Sequence, residues 1–279
     1  MTEILPGVRE DLSNEAYHAL TDWYSSSQLK AALPEHYKPG GSQDALDFGT
    51  LVHTVVLEPD NLGHYVVLDA NKIAGDNPKT GKPYDAPHMT ARFKAAVAEA
   101  QQDGHTVVAA DAWERAHRMR DAVAKHETAA RLLLSDDGRS EVSAFAVDEN
   151  GVQHKARFDR HIPGVIVDLK STSGKPGRDS LARSVIDYGY DLSAAHYLAV
   201  AELLGLDVQA FAFVFVGKEP PHHVTVCDLD EAFLERGRAL RAKALRRHTD
   251  PTEPAYEGAS GFLTIDAPGW ALIREDVAS

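Results

Sequence analysis

The sequence is poor in cysteine. Cys227 stands alone among 279 residues, so no disulfide can close within the chain and no cage of thiolates can hold a metal. Also missing is any apolar run of roughly 18 residues, the length a membrane-crossing helix needs. The opening segment, Met1 to Glu10, carries acids and a proline where a secretory leader would carry an apolar stretch. These absences predict a soluble protein of a reducing cytoplasm with no membrane partner. Positive charge is scarce too: 29 Lys and Arg against 42 Asp and Glu give a net charge of −13. That excludes a uniformly basic nucleic-acid-binding surface. It does not exclude a local basic groove, or a bound cation, on an acidic body.

What is present is an ordinary globular mix, 43% hydrophobic and 25% charged, in a length that suits one large domain over 1–279. Residues 1–135 have mainly helical character. Ser13 precedes one helix start and Ser25-Ser26-Ser27 another. The stretch 44–57 places Leu46, Gly49 and His53 at helical spacing and is closed by Pro59. A loop rich in Gly and Pro fills 75–88, and helices are expected over 89–103 and 110–134. From 136 to 250 the periodicity changes. Residues 141–147 and 152–159 alternate around the turn Asp148-Glu149-Asn150-Gly151, which predicts a hairpin. The apolar run 165–169 predicts a central strand. Helices at 180–187 and 190–204, strands at 208–216 and 222–228, and a helix at 229–248 with six Lys or Arg complete the pattern. The tail 251–279 is irregular. The fold class is α/β, with a mixed central sheet flanked by helices and a helical N-terminal part.

The chemistry gathers on the three strands after Gly138. Glu141 opens the first, Asp159 closes the second, and Asp168 and Lys170 lie in the third, two apart and so on one face, with Leu169 on the other. Charges emerging from an apolar strand cost several kcal/mol unless they pair or bind a metal. Converging carboxylates call for a hard cation, Mg²⁺ or Mn²⁺, and a lysine beside it supplies what phosphodiester hydrolysis still needs. Asp-x-Lys alone is commonplace; the hairpin context makes it pointed.

Six segments in order, DLSNEAYHA with SSSQLKAAL, ALDFGTLVHTVVLEP, NPKTGKPYDA, EVSAFAVDENGVQHKARFDR, VIVDLKST and YGYDLSAAHYL, resemble the PD-(D/E)xK nuclease superfamily. More narrowly they are similar to the RecE-type (exonuclease VIII-like) exonucleases of phages and prophages, over about residues 10 to 250. The resemblance implies a restriction-endonuclease-like core, with metal held by Glu141, Asp159, Asp168 and His53, and with Lys170 as the catalytic lysine. On spacing alone His53 reads as a core histidine. The family carries a glutamine where this chain has Ser193, within a motif whose Tyr197 is retained. The shorter serine would reach the attacking water only through a second water, slowing chemistry without abolishing it. The resemblance further implies 5′-to-3′ degradation of double-stranded DNA ends, a single-strand annealing or recombinase partner, and a homo-oligomer, a ring among the options.

Other residues carry weaker signals. Ser26, Ser27 and Lys30 at a helix start suit a phosphate, or are an ordinary cap. Arg157 and Arg160 flank Asp159 and would track a DNA backbone or pair with acids. The basic helix reads as a solvated face, with a basic rim or a subunit contact as the alternatives. His222-His223 are adjacent on a strand, point to opposite faces, and make no zinc site. Two other functions stay open: a DNA-binding or assembly module that has lost cleavage, for which the acidic charge and Ser193 speak, and an endonuclease of the same fold.

Overall fold

The computed structural model describes residues 4–38, 42–250, 252–254, 261, 264 and 265, so most of the tail expected to be irregular after 251 lies outside the described residues. The chain runs β1 (Gly7–Arg9), α1 (Asn14–Ala19), α2 (Ser26–Ala31), α3 (Gln43–Leu57), β2 (Tyr65–Leu68), α4 (Ala70–Ala74), α5 (Ala91–Gln102), β3 (Thr106–Ala109), α6 (Ala110–Lys125) and α7 (Glu127–Leu134). There follow β4 (Arg139–Val147), β5 (Gln153–Ile162), β6 (Gly164–Thr172), α8 (Arg178–Tyr188), α9 (Tyr190–Leu203), β7 (Val208–Gly217), β8 (Val224–Cys227) and α10 (Glu231–Thr249). None of the described helices is long and apolar enough to cross a membrane.

The main sheet has the order β1-β4-β5-β6-β7-β8. It is mixed: β6 and β7 run parallel and the other neighbours antiparallel. β6 is therefore central, and its alternation feeds two layers. Val167 and Leu169, with Val214 and Val216 of β7, pack on α3, α6 and α7. Ile166, with Phe211, Phe213 and Phe215, packs on α9. A strand buried on both faces is largely apolar, which is why 165–169, Asp168 apart, reads as continuous rather than alternating.

Several boundaries depart from the sequence reading. The expected helix 110–134 breaks at His126, whose side chain caps α7 through Ala129 N–H. The N-terminal part is less helical than its periodicity: β1 joins the main sheet, and β2 and β3 form a separate parallel pair. Four-residue strands leave too little alternation to be seen in sequence. Glu141 is the third residue of its strand rather than the first, and β5 continues past Asp159 to Ile162. His222 and His223 precede β8 rather than lying in it. The α10 helix is a solvated face only in part, at Arg238 and Arg246: Arg236 pairs with the buried Asp191, Arg241 reaches His196, and Arg247 bonds Glu35 and the Ala32 carbonyl. Its Gly237 crosses α9 so closely that a Cβ there would stand 2.3 Å from the Asp191 carbonyl oxygen.

Candidate active site

The hairpin β4–β5 is irregular at one point. Ser140 pairs with Arg160 and Val142 with Phe158, while Glu141 and Asp159, opposite one another between them, form no ladder pair. Glu141 there has φ +52°, a left-handed conformation costing a non-glycine residue on the order of 1–3 kcal/mol. The strand changes layer across this point. Phe158 packs on the α9 side and Ile162 on the α3 side, although residues four apart on a regular strand share a face. The same break parts β5 from β6, whose pairing reaches only Arg160 and Val167. Asp159 thus stands where two strands separate, with its carboxylate free to turn toward the gap.

Into this gap comes His53 from α3. Its Nε2 donates to the Leu169 carbonyl at 2.9 Å, which leaves Nδ1 facing the acids, 3.8 Å from Glu141 Oε1 and 3.7 Å from Asp159 Oδ2. Asp159 Oδ2 in turn accepts from Leu169 N–H at 2.7 Å. One donor atom from each of His53, Glu141 and Asp159 lies within 4.8 Å of the other two. Burial raises the Asp159 carboxyl to about 7, against the pull of His53. Burial disfavours the charged His53 ring, but Asp159 and Glu141 override it and lift it to about 9. Burial also opposes ionisation of Glu141, yet His53 and Arg157 hold that carboxyl below its ordinary range.

Two carboxylates and an imidazole nitrogen facing one another, with a proton held among them, fit a divalent cation that replaces the proton. Oxygen donors suit Mg²⁺ and Mn²⁺, and the imidazole is more at home with Mn²⁺. Asp168 is not part of this trio. It is 2% exposed and ion-paired with Lys170 on the α9 side of β6. Burial pulls the Lys170 ammonium down, but Asp168 and Asp159 more than compensate, so it keeps its proton firmly. Its Nζ lies 5.5 Å from the centre of the Tyr190 ring.

Residues 13–252 match a family described as "PDDEXK-like domain of unknown function (DUF3799)", a span well over half the chain. The chain belongs to this DUF3799 family. Its mixed sheet flanked by helices is the PD-(D/E)xK fold, as the sequence predicts. Among solved structures, a crystal structure of a "Putative exonuclease" from Eubacterium rectale is similar at TM-score 0.55 and 18% identity, covering 87% of this chain and 88% of that one, a likeness of fold. SSO0001 aligns at TM-score 0.30 and 12% identity over 73% of this chain and 87% of the other, too distant for comparison. No curated protein matches the chain.

The remaining expected contacts of this DUF3799 chain are placed unevenly. Arg157, expected on a DNA backbone, is held inside: its Nε donates to Glu141 Oε2 at 2.8 Å, and its Nη1 to the Leu12 carbonyl and to Ser143. Arg160 is also turned inward, to Ser140 Oγ and the Ser135 carbonyl. Sequence flanking cannot tell an exposed cation from one that braces a neighbouring acid. Ser25, not Ser26, caps α2, in a reciprocal capping box with Gln28. Ser26 is buried within reach of the Tyr197 phenol, Ser27 is exposed, and Lys30 donates to the Tyr188 carbonyl at 3.3 Å. Tyr197 is wedged between Phe158 and Phe211. Ser193 is buried, and its hydroxyl donates to the Gly189 carbonyl one turn back. A cleft of about 680 Å³ opens beside His53 and Glu141. Its rim carries Glu10, Asp11 and Glu58, and the last of these titrates high because of burial and Glu141. Of the two expectations for Arg157, pairing with an acid is the one the structure shows, and the partner is Glu141 across the hairpin.

Proposed function

We propose that this chain is a metal-dependent exodeoxyribonuclease that degrades double-stranded DNA from its ends, 5′ to 3′, with Mg²⁺ as its ion and Mn²⁺ as a substitute. The observation that supports this most directly is the convergence of His53, Glu141 and Asp159 donor atoms within 4.8 Å of one another. A divalent cation bound there supplies Lewis-acid screening of phosphate charge and a more acidic water. His53, Glu141 and Asp159 would hold it, with Asp168 a further candidate ligand through the gap between β5 and β6.

The chain's own groups do the rest. Leu169 fixes the directions of His53 and Asp159 through its backbone carbonyl and N–H. Arg157 fixes Glu141. Lys170 stays protonated, so it acts as a donor to charge developing on a phosphate oxygen rather than as a general base. Asp168 holds that ammonium in place. Ser27 and Lys30 would contact the DNA backbone; Ser26 and Tyr197 would back them from within. We further assign the products to recombination, with 3′ single-stranded tails passing to an annealing or recombinase partner, a ring-forming homo-oligomer as the assembly, a phage-type origin, and the cytoplasm as the compartment.

The test is gel analysis of 5′- and 3′-labelled linear duplexes and of closed circles, with Mg²⁺ and with excess chelator. Loss of the 5′ label first, intact circles and silence in chelator are expected. Cutting of circles would make the enzyme an endonuclease, and full activity in chelator would overturn the metal site. The second reading, a DNA-binding module without cleavage, is favoured by Ser193, whose hydroxyl is engaged within its own helix. It predicts binding with silence on every DNA substrate.

A further inference from the structure

The cations around the candidate site and along α10 are held by acids. Arg157 has Glu141, Lys170 has Asp168, Arg236 has Asp191 and Arg247 has Glu35. Arg115 of α6 and Lys218, just past β7, have no such partner although they lie together. Both lean on one aromatic ring: the Arg115 Cζ is 4.2 Å and the Lys218 Nζ 5.7 Å from the centre of Phe48. Among the described residues neither side chain forms an ion pair or a hydrogen bond, and Arg115 Nε is buried without a partner. Two like charges sharing one ring repel each other. Burial and Arg115 both push the Lys218 ammonium to lose its proton more readily than usual. The ring stabilises each cation and does nothing for their mutual repulsion. What removes the repulsion is an anion between them.

The place is not arbitrary. Phe48 precedes Gly49 on the helix that carries His53, and a Cβ on Gly49 would stand 4.0 Å from Ser171 Oγ. Lys218 N–H donates to the Thr172 carbonyl, two residues beyond Lys170 on β6. Two residues of strand span roughly 7 Å. Phosphates on one strand of a duplex recur about every 3.4 Å along its axis. A DNA strand with one phosphate at the gap that His53 enters, on the same helix as Phe48, would carry a neighbouring phosphate past this ring.

We propose that Arg115 and Lys218, seated on Phe48, bind a backbone phosphate of the DNA strand one to three nucleotides from the cleavage site. The proposal rests on the nuclease reading for the identity of the polyanion. It puts positive charge beside the site on a chain whose net charge is −13.

The experiment is fluorescence anisotropy with a labelled blunt duplex in Ca²⁺, from 50 to 200 mM salt, for wild type, Arg115→Gln/Lys218→Gln, Lys218→Gln and Arg115→Lys. Removing one phosphate contact should lower the slope of log Kobs against log[salt] by about 0.9 and weaken binding by roughly tenfold at low salt, on any sequence. The Arg115→Lys variant should keep the wild-type slope, and kcat in Mg²⁺ should stay within about twofold while KM rises. An unchanged slope in the double variant overturns the proposal, as does a fall in kcat with no change in slope. If the double variant does not fold, Lys218→Gln, at a half-exposed position, is read by the same criterion. Wild type that binds with the expected slope difference but never cuts would sink the nuclease reading and leave the phosphate site standing.

Discussion

His53 and Leu169 are joined by a 2.9 Å hydrogen bond from the imidazole Nε2 to the backbone carbonyl, and the N–H of the same Leu169 binds Asp159 Oδ2 at 2.7 Å. The residue between Asp168 and Lys170 therefore orients two candidate metal ligands through its backbone, while its side chain is buried against α3, on the face opposite to Asp168 and Lys170. His53→Ala should weaken Mn²⁺ binding by about 10- to 100-fold or more, as loss of oriented ligation does. Calorimetric Mn²⁺ titration measures it. Wild-type affinity in His53→Ala would remove His53 from the metal site.

Lys170→Ala and Asp159→Ala should separate two roles. Both should lower cleavage by at least about a hundredfold. Only Asp159→Ala should also lose metal. Lys170→Ala leaves the Asp168 carboxylate buried without its partner, so it should in addition cost about 3–5 kcal/mol of stability. Single-turnover rates, Mn²⁺ titration and urea unfolding read the three effects separately. Equal metal loss in both variants would contradict the division.

Ser193 is a case of small effect. Its hydroxyl bonds to the Gly189 carbonyl, a contact that an α-helix does without. Ser193→Ala should change the cleavage rate by less than about tenfold and stability by less than about 1 kcal/mol. Ser193→Gln puts a longer side chain into a buried position and should cost about 1–3 kcal/mol. A drop in rate for Ser193→Ala matching that of Lys170→Ala would make this serine catalytic.

Acid should unfold the protein through His196. This ring is fully buried, donates from Nε2 to the Lys155 carbonyl and accepts from Arg241 at Nδ1, so both nitrogens are engaged in the neutral form. Burial, reinforced by Arg241, lowers it to about 3. The unfolded chain, with a histidine near 6.5, binds the proton more readily. The contribution of His196 is therefore complete above pH ~6.5 and is lost as pH falls toward 3, by up to about 1.4 kcal/mol per pH unit. His154, also buried and shifted down by burial, acts in the same direction. Urea unfolding between pH 7 and 4.5 should show the decline, and His196→Gln, less stable at pH 7, should decline less steeply. Parallel curves for the two proteins would refute the assignment.

Gly237 is required for the approach of α10 to α9. In Gly237→Ala the new Cβ would meet the Asp191 carbonyl oxygen at 2.3 Å and the Ala195 Cβ at 3.1 Å. The helices must part, at about 1–3 kcal/mol, and the Arg236–Asp191 pair with them. The urea midpoint should fall; an unchanged midpoint would show that the crossing has slack.

Long elements were legible because period and length agree. α3, α5, β5, β7 and α9 lie within one to three residues of where the pattern of apolar residues puts them. The helix over 110–134 was overextended because a cap made by His126, rather than by Ser, Thr or Asp, is not a recognisable stop. The short strands β1, β2 and β3 exist because of their partners, and a partner distant in sequence leaves no mark on three or four residues.

From the sequence alone came the residue types and their order: three acids, a histidine and a lysine on a hairpin, a central strand and a helix, enough for the α/β class and the direction of the chemistry. The tertiary structure decided their grouping. It drew His53, Glu141 and Asp159 together and set Asp168 against Lys170, because the break at Glu141 and the parting of β5 from β6 change which layer a side chain enters. It also decided which cations are free. A sequence lists charges but not their partners, and Coulomb energy depends on separations of a few ångströms that only folding fixes. Arg157 and Arg160, beside an acid in the chain, are closed off within the protein, while Arg115 and Lys218, 103 positions apart by their numbers (218 less 115), share one ring.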